Sequence, residues 1–267
     1  MMRFDREDKS LLAEWWFTAD RLLLAAILML MGVGIIVSLA ASPAVADNKG
    51  LEAFYFVKRH VVIVTAGAVA MFFLSLQSPR IIRRIAVVTF FAAIAAMIYI
   101  LVAGEAINGA RRWVRVMGIS LQPSEIAKPA FIVLAAWAFA EWERRRDVPA
   151  LPLAIALYIV FVGLLALQPD VGQSLLVTMV WGALFLLAGL SFYWVGLLAA
   201  FAVAGLVTAY FTLPYVAARI DVFLAADAAS TSQVARAYES FRLGGLFGRG
   251  PGEGTIKTVL PDAHTDF

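Results

Sequence analysis

Long apolar stretches alternate with short polar breaks along most of the chain. Seven of them are candidate membrane spans: about 22–42, 60–77, 85–103, 124–142, 151–167, 171–190 and 192–212. Each approaches the roughly 20 apolar residues that a helix needs to cross a bilayer. The first three hold no ionisable residue except His60 at a border, and the fifth and sixth are parted only by Gln168-Pro169-Asp170. Leu, Ala, Val, Ile and Phe dominate, with scattered Gly, as helical spans tolerate. The pattern predicts an all-α polytopic membrane protein. Residues 1–21 form its N-terminus, 22–212 a bundle of seven spans, and 213–267 a large outer loop. There is no clear internal repeat and no soluble domain between spans.

Composition agrees. The chain of 267 residues is 62% hydrophobic with a mean hydropathy of +0.85, against roughly 45–50% apolar usage in soluble domains. The formal charge of +3 is small. It points to basic residues at membrane borders and not to nucleic acid. The absence of cysteine excludes disulfides and thiol chemistry. The apolar run after the charged N-terminus is too long for a signal-peptide core and reads as a retained first span.

Lys and Arg counts in short loops set orientation. One set of ends holds ten: Arg3, Arg6, Lys9, Arg21, Arg80, Arg83, Arg84, Arg144, Arg145 and Arg146. The opposite loops hold six: Lys49, Lys58, Arg59, Arg111, Arg112 and Arg115. The N-terminus is therefore expected in the cytoplasm, with loops 43–59, 104–121 and 168–170 and the tail from about 213 facing outward.

Three of the six outward cations form an island, Asn108-Gly109-Ala110-Arg111-Arg112-Trp113-Val114-Arg115. Planar guanidinium groups suit a phosphate or pyrophosphate, and Trp113 suits a sugar face. The alternative is that Arg and Trp only anchor the span at headgroup level. Glu125 and Lys128 lie three apart on the next span, so a helix puts them on one face, as a packing ion pair or as part of a polar cavity. Pro123 suits a helix start, and Pro129 suggests a bend or a frayed first turn. Gln168-Pro169-Asp170-Val171-Gly172-Gln173 reads either as a broken-helix binding segment or as a tight outer turn with Asp170 capping the following helix. The tail has six glycines in the eleven residues Gly244 to Gly254, but Lys257-Thr258 lacks the glycine and the strand of a P-loop. His264 and Asp266 offer a general base only weakly from spacing, and two such groups do not make a metal site.

Four strings occur in order: Asn108-Gly109-Ala110-Arg111-Arg112-Trp113, Gln122-Pro123-Ser124-Glu125-Ile126-Ala127-Lys128, Gln168-Pro169-Asp170-Val171-Gly172, and Leu260-Pro261-Asp262-Ala263-His264-Thr265-Asp266-Phe267. Together they resemble the FtsW/RodA proteins of the SEDS family (shape, elongation, division and sporulation). Gly250-Pro251-Gly252-Glu253-Gly254 followed by Lys257 resembles the division branch more than the elongation branch.

The resemblance implies ten spans, so three would be missing after Phe267. It implies a multi-pass protein of the bacterial plasma membrane that polymerises lipid II into glycan strands at the outer face during cell division. By that likeness Asp266 is the catalytic base, and Arg111, Arg112, Trp113, Arg115, Glu125, Lys128, Asp170 and His264 surround the substrate. No cofactor is implied with certainty, though a divalent cation could assist the pyrophosphate. The implied partners are lipid II, the membrane, a class B penicillin-binding transpeptidase and other division proteins. Two other readings compete: a lipid II flippase or transporter, and a non-catalytic scaffold for a transpeptidase.

Overall fold

The computed structural model describes residues 11–104, 111–116, 119–145, 147–189, 192–224, 233–245 and 248. All seven apolar segments are helices. In chain order the elements are α1 (Leu11–Thr18), α2 (Arg21–Asn48), α3 (Tyr55–Ser75), α4 (Pro79–Ala103), β1 (Val114–Val116), β2 (Ile119–Leu121), α5 (Pro123–Arg144), α6 (Ala150–Leu167), α7 (Val171–Leu187), α8 (Phe192–Thr212), α9 (Pro214–Leu224) and α10 (Gln233–Gly244). The protein is a helical membrane protein. Five helices (α2, α3, α4, α6 and α8) are long and apolar enough to cross a bilayer on length and composition alone. Helix α7 is apolar but only 17 residues long, and α5 carries charge at both ends.

Several boundaries differ from expectation. Helix α2 continues through Pro43 to Asn48. Helices α3 and α4 begin earlier than the apolar runs, so Lys58, Arg59, Arg80, Arg83 and Arg84 lie within opening turns and not in loops. Long basic side chains reach water from such turns, which hides the helix start from a hydropathy reading. Pro129 lies inside α5, which runs without interruption from Pro123 to Arg144, so no frayed turn separates it from the helix start. The region read as one outer loop contains α9 and α10.

The chain divides into two compact units, one from 1–76 with 213–267 and the other from Gln77–Thr212. In the first, α2 packs on α3. Ser42 lies at their contact and donates to the Ala53 carbonyl at 2.9 Å, and the His60 ring lies 3.7 Å from where a side chain on Gly34 would begin. Helix α1 is tied to α3 by Trp15, whose indole donates to Ser75 Oγ at 2.8 Å while its ring meets Phe72 edge-on.

The second unit is built around α5, which contacts α4, α6 and α7. Its buried positions Ala127, Ala130, Phe131, Leu134, Ala135, Ala138 and Phe139 recur at helical spacing. In lipid the hydrophobic effect no longer drives helices together, so small residues that permit close approach and dispersion contacts must do it. Alanines supply the approach here. Phe90, Phe131 and Phe161 from α4, α5 and α6 fill the gaps, with ring centroids 5.4–6.2 Å apart. A second aromatic set, Phe139, Trp181, Phe185 and Tyr158, joins α5, α6 and α7 further along. Arg111, Arg112, Glu125, Lys128 and Asp170 lie at the end of this unit where α5 and α7 begin.

Phe161→Ala should therefore cost about 3 kcal/mol through the cavity left among three helices, whereas Phe91→Ala, on the exposed face of α4, should stay within about 0.5 kcal/mol. Thermal unfolding in detergent distinguishes the two.

Candidate functional site

Where α4 and α6 end, α5 and α7 begin. Helix ends leave carbonyls and N–H groups without partners, and in or near a membrane these need protein donors and acceptors. The segment between α4 and α5 supplies them. Val114–Val116 and Ile119–Leu121 pair as an antiparallel hairpin, with Arg115 opposite Ser120. Alternation of apolar and polar residues around Gly118 was the signal for it, and it was overlooked.

Just before the hairpin, two adjacent arginines serve two different helix ends. Arg111 Nη1 donates to the carbonyls of Leu101 (3.2 Å) and Val102 (3.5 Å), in the last turn of α4. Arg112 reaches the α6–α7 corner. Its Nε donates to the Gln168 carbonyl at 3.0 Å, its Nη2 to the Pro169 carbonyl, and its Nη1 lies 3.5 Å from the Asp170 carboxylate. Asp170 is buried, and its other oxygen accepts from Gln122 Nε2 at 3.1 Å. The expected cap is therefore not made. Asp170 occupies the N-cap position of α7, but its side chain takes no backbone N–H there. Its carboxylate binds Arg112 and Gln122 instead, because a guanidinium is a stronger partner than a neutral amide. The corner is also held from inside: the buried Gln168 side chain donates to the Met97 carbonyl of α4 at 3.4 Å.

A second polar group lies one turn further along α5 and α7. Lys128 Nζ sits 2.7 Å from Glu125 Oε2 and donates to Gln173 Oε1 at 2.7 Å. Gln173 Nε2 in turn donates to Glu125 Oε1 at 3.0 Å. The three side chains close a ring in which every charge has two partners. The i,i+3 pairing expected for Glu125 and Lys128 is present, and Gln173 turns it into a tie between two helices. Beside it, the Ser124 hydroxyl is buried and has no hydrogen-bond partner among the described residues.

Of the residues singled out in the sequence, Arg111, Arg112, Trp113, Glu125, Lys128 and Asp170 thus belong to one end of one unit. Arg111 and Trp113 are exposed and Arg112 is half-buried. The Arg115 backbone lies in β1, while its side chain, like His264 and Asp266, lies outside the described residues. Gln122 and Gln173 were not assigned roles from the sequence. Both belong to the quoted strings, but an uncharged amide gives no signal until its partners are placed. Among the described residues no group of three or more His, Asp or Glu could hold a metal ion.

Such an end presents exposed cationic donors on a frame fixed by buried hydrogen bonds. That arrangement can bind an anionic group at the membrane border without rearranging the helices.

Comparison with known proteins bears on what that group is. The cell cycle protein family FTSW_RODA_SPOVE matches residues 20–267. A protein of Caulobacter vibrioides named "Probable peptidoglycan glycosyltransferase FtsW" is 46% identical over 265 residues, covering 99% of this chain and 68% of that protein. One of the same name from Trichlorobacter lovleyi is 32% identical, covering 93% and 67%. Among solved structures, the rod shape determining protein RodA of Thermus thermophilus superposes with a TM-score of 0.54 at 27% identity, covering 72% of this chain and 60% of that one. A chain from "Structural coordination of polymerization and crosslinking by a peptidoglycan synthase complex" superposes with a TM-score of 0.56 at 29% identity, covering 74% and 58%. This chain therefore spans about two thirds of those curated relatives and less of the solved chains.

Two stability measurements test the frame. In a double-mutant cycle, Arg112→Ala and Asp170→Ala should be non-additive by about 1–3 kcal/mol, because they share one interaction. Gln173→Leu should cost about 1–2 kcal/mol by leaving Lys128 and Glu125 each one partner short, and Gln173→Glu should not restore it, since a second carboxylate would face Glu125.

Proposed function

The chain belongs to the FtsW/RodA/SpoVE family of cell cycle proteins, and on that premise we propose that the protein it represents polymerises lipid II into peptidoglycan glycan strands at the outer face of the bacterial plasma membrane during cell division. The observation that carries the reading is identity of 46% along 99% of the chain with a relative named as such a glycosyltransferase. The paired arginines at one helix-bundle end support it, because the leaving group of such a transfer is a lipid pyrophosphate.

In this reading Asp266 takes the proton from the acceptor sugar's 4-hydroxyl. The oxygen attacks the donor's anomeric carbon, the bond to the pyrophosphate oxygen breaks, and configuration inverts. The proton ends on the carboxylate and the negative charge on the departing undecaprenyl pyrophosphate. A base on one side and cations on the other are what this transfer needs. The cationic role falls to Arg111 and Arg115. Arg112 has its donors committed to the α6–α7 corner and acts by positioning its neighbours, as do Glu125, Lys128 and Asp170. Trp113 offers a sugar face, and His264 stands two residues from the base. A divalent cation, if used, would ride on the pyrophosphate. In this reading the N-terminus is cytoplasmic and the loop carrying the arginine island faces outward, as the distribution of Lys and Arg implies. The partner is a class B transpeptidase that crosslinks the strands, in keeping with the peptidoglycan synthase complex to which one structural relative belongs.

The test is polymerisation of purified lipid II by the full-length protein with its transpeptidase. Asp266→Ala should remove polymer, by more than about 100-fold for loss of a general base, while the protein remains folded. Arg111→Ala should lower turnover while costing about 0.5–1.5 kcal/mol of stability, the worth of the exposed bonds it gives the α4 carbonyls. Polymer formed at the normal rate by Asp266→Ala would sink the assignment. Transport of labelled lipid II by the protein alone would favour a flippase, and normal cell growth on Asp266→Ala would favour a scaffold.

A further inference from the structure

The opposite end of the second unit carries the other arginine cluster, and its three members differ. Arg83 is spoken for: its Nε donates to the Pro79 carbonyl at 3.1 Å and its guanidinium lies over the Trp137 ring, 5.2 Å from the centroid. On the neighbouring helix Glu141 is also engaged, accepting from Trp137 Nε1 at 3.3 Å and lying 3.8 Å from Arg145. Glu143, Arg144 and Asp147 complete the charges at this end of α5, and Arg146 lies outside the described residues. Arg80 and Arg84 remain. Both are exposed, and among the described residues neither makes a hydrogen bond or ion pair.

Their place on α4 gives them a shared direction. At 100° per residue, Arg80, Arg84, Val87, Val88 and Phe91 fall within a sector of about 100°. Val88 is 69% exposed and Phe91 58%, so this face is not covered by the described protein. From Arg80 to Phe91 the helix rises about 16 Å, close to the roughly 15 Å of hydrocarbon in one leaflet. Two guanidinium groups without partners among the described residues thus head a continuous apolar track as long as an acyl chain.

We propose that this face of α4 is a binding site for an anionic glycerophospholipid, with its phosphate on Arg80 and Arg84 and an acyl chain along Val88 and Phe91. A basic border that merely orients the helix would be satisfied by any solvated anion. Arg80 and Arg84 are set apart by lacking partners among the described residues, directly above an apolar stripe that those residues leave uncovered. The cation pair selects charge in the headgroup, and the stripe selects a lipid over a free phosphate.

The experiment is lipid retention by the purified full chain in detergent, measured by native mass spectrometry with dioleoylphosphatidylglycerol and dioleoylphosphatidylcholine as probes. Phosphatidylglycerol should be retained more than about tenfold over phosphatidylcholine, from two cations each contributing about fivefold. Arg80→Gln/Arg84→Gln should bring the ratio to near unity, and Arg80→Lys/Arg84→Lys should keep most of it. Phe91→Ala should weaken phosphatidylglycerol retention without changing the headgroup preference. Equal retention of the two lipids overturns the proposal, as does a preference that survives the glutamine pair. Full displacement by inorganic phosphate at matched concentration reduces the site to a plain anion patch and overturns it as a lipid site. If the glutamine pair does not fold, the Phe91→Ala result decides: unchanged retention rejects the acyl track.

Discussion

Three contacts of one guanidinium hold the polar end of this protein together. Arg112 binds the carbonyls that end α6 and the carboxylate that begins α7. Without it, the corner Gln168-Pro169-Asp170 would present two free carbonyls and a buried anion at the edge of a membrane. Each unsatisfied group there costs on the order of 1–3 kcal/mol, more for the charge. Arginine is suited to this, because its planar fork offers several donors in fixed directions and stays charged. Lysine could neutralise Asp170, but a single ammonium could not span the three acceptors.

Once that corner is fixed, its neighbours have little freedom. Gln122 meets the far oxygen of Asp170, which sets the entry into α5. One turn on, Gln173 meets both Glu125 and Lys128, which sets α5 against α7. The middle of the unit is mainly alanine and aromatic packing, crossed by the Tyr158–Thr178 hydrogen bond at 2.9 Å. Polar contacts return at the far end, around Trp137 and Glu141.

The helices were legible in the sequence because apolar runs of membrane length have few alternatives. Their ends were not, since Lys58, Arg80 and Arg84 lie on the first turns of helices that hydropathy alone starts later. The grouping of Arg112, Glu125, Lys128 and Asp170 at one end followed from topology, as loops 104–121 and 168–170 were both expected outside. Which side chain met which did not follow. Asp170 preceding a helix looks like a cap, and only the position of Arg112, 58 residues earlier in the chain, reveals the competitor. Gln122 and Gln173 carry no charge and no periodic signal, so their bridging role could be seen only from their partners. His264 and Asp266 rest on motif likeness alone.

The long sequence gap closed by Arg112 has a consequence for how the protein is made. Its first acceptor, the Gln168 carbonyl, lies 56 residues downstream. At about 5–20 residues per second of synthesis, that is a wait of roughly 3–11 s. Arg111 has no such delay, because its acceptors on α4 are already in place. During translation the adjacent arginines therefore lead different lives: one anchors the helix just threaded, and the other stays hydrated until two more helices arrive. Closure of the corner must then wait until α5 and α6 have both been synthesised.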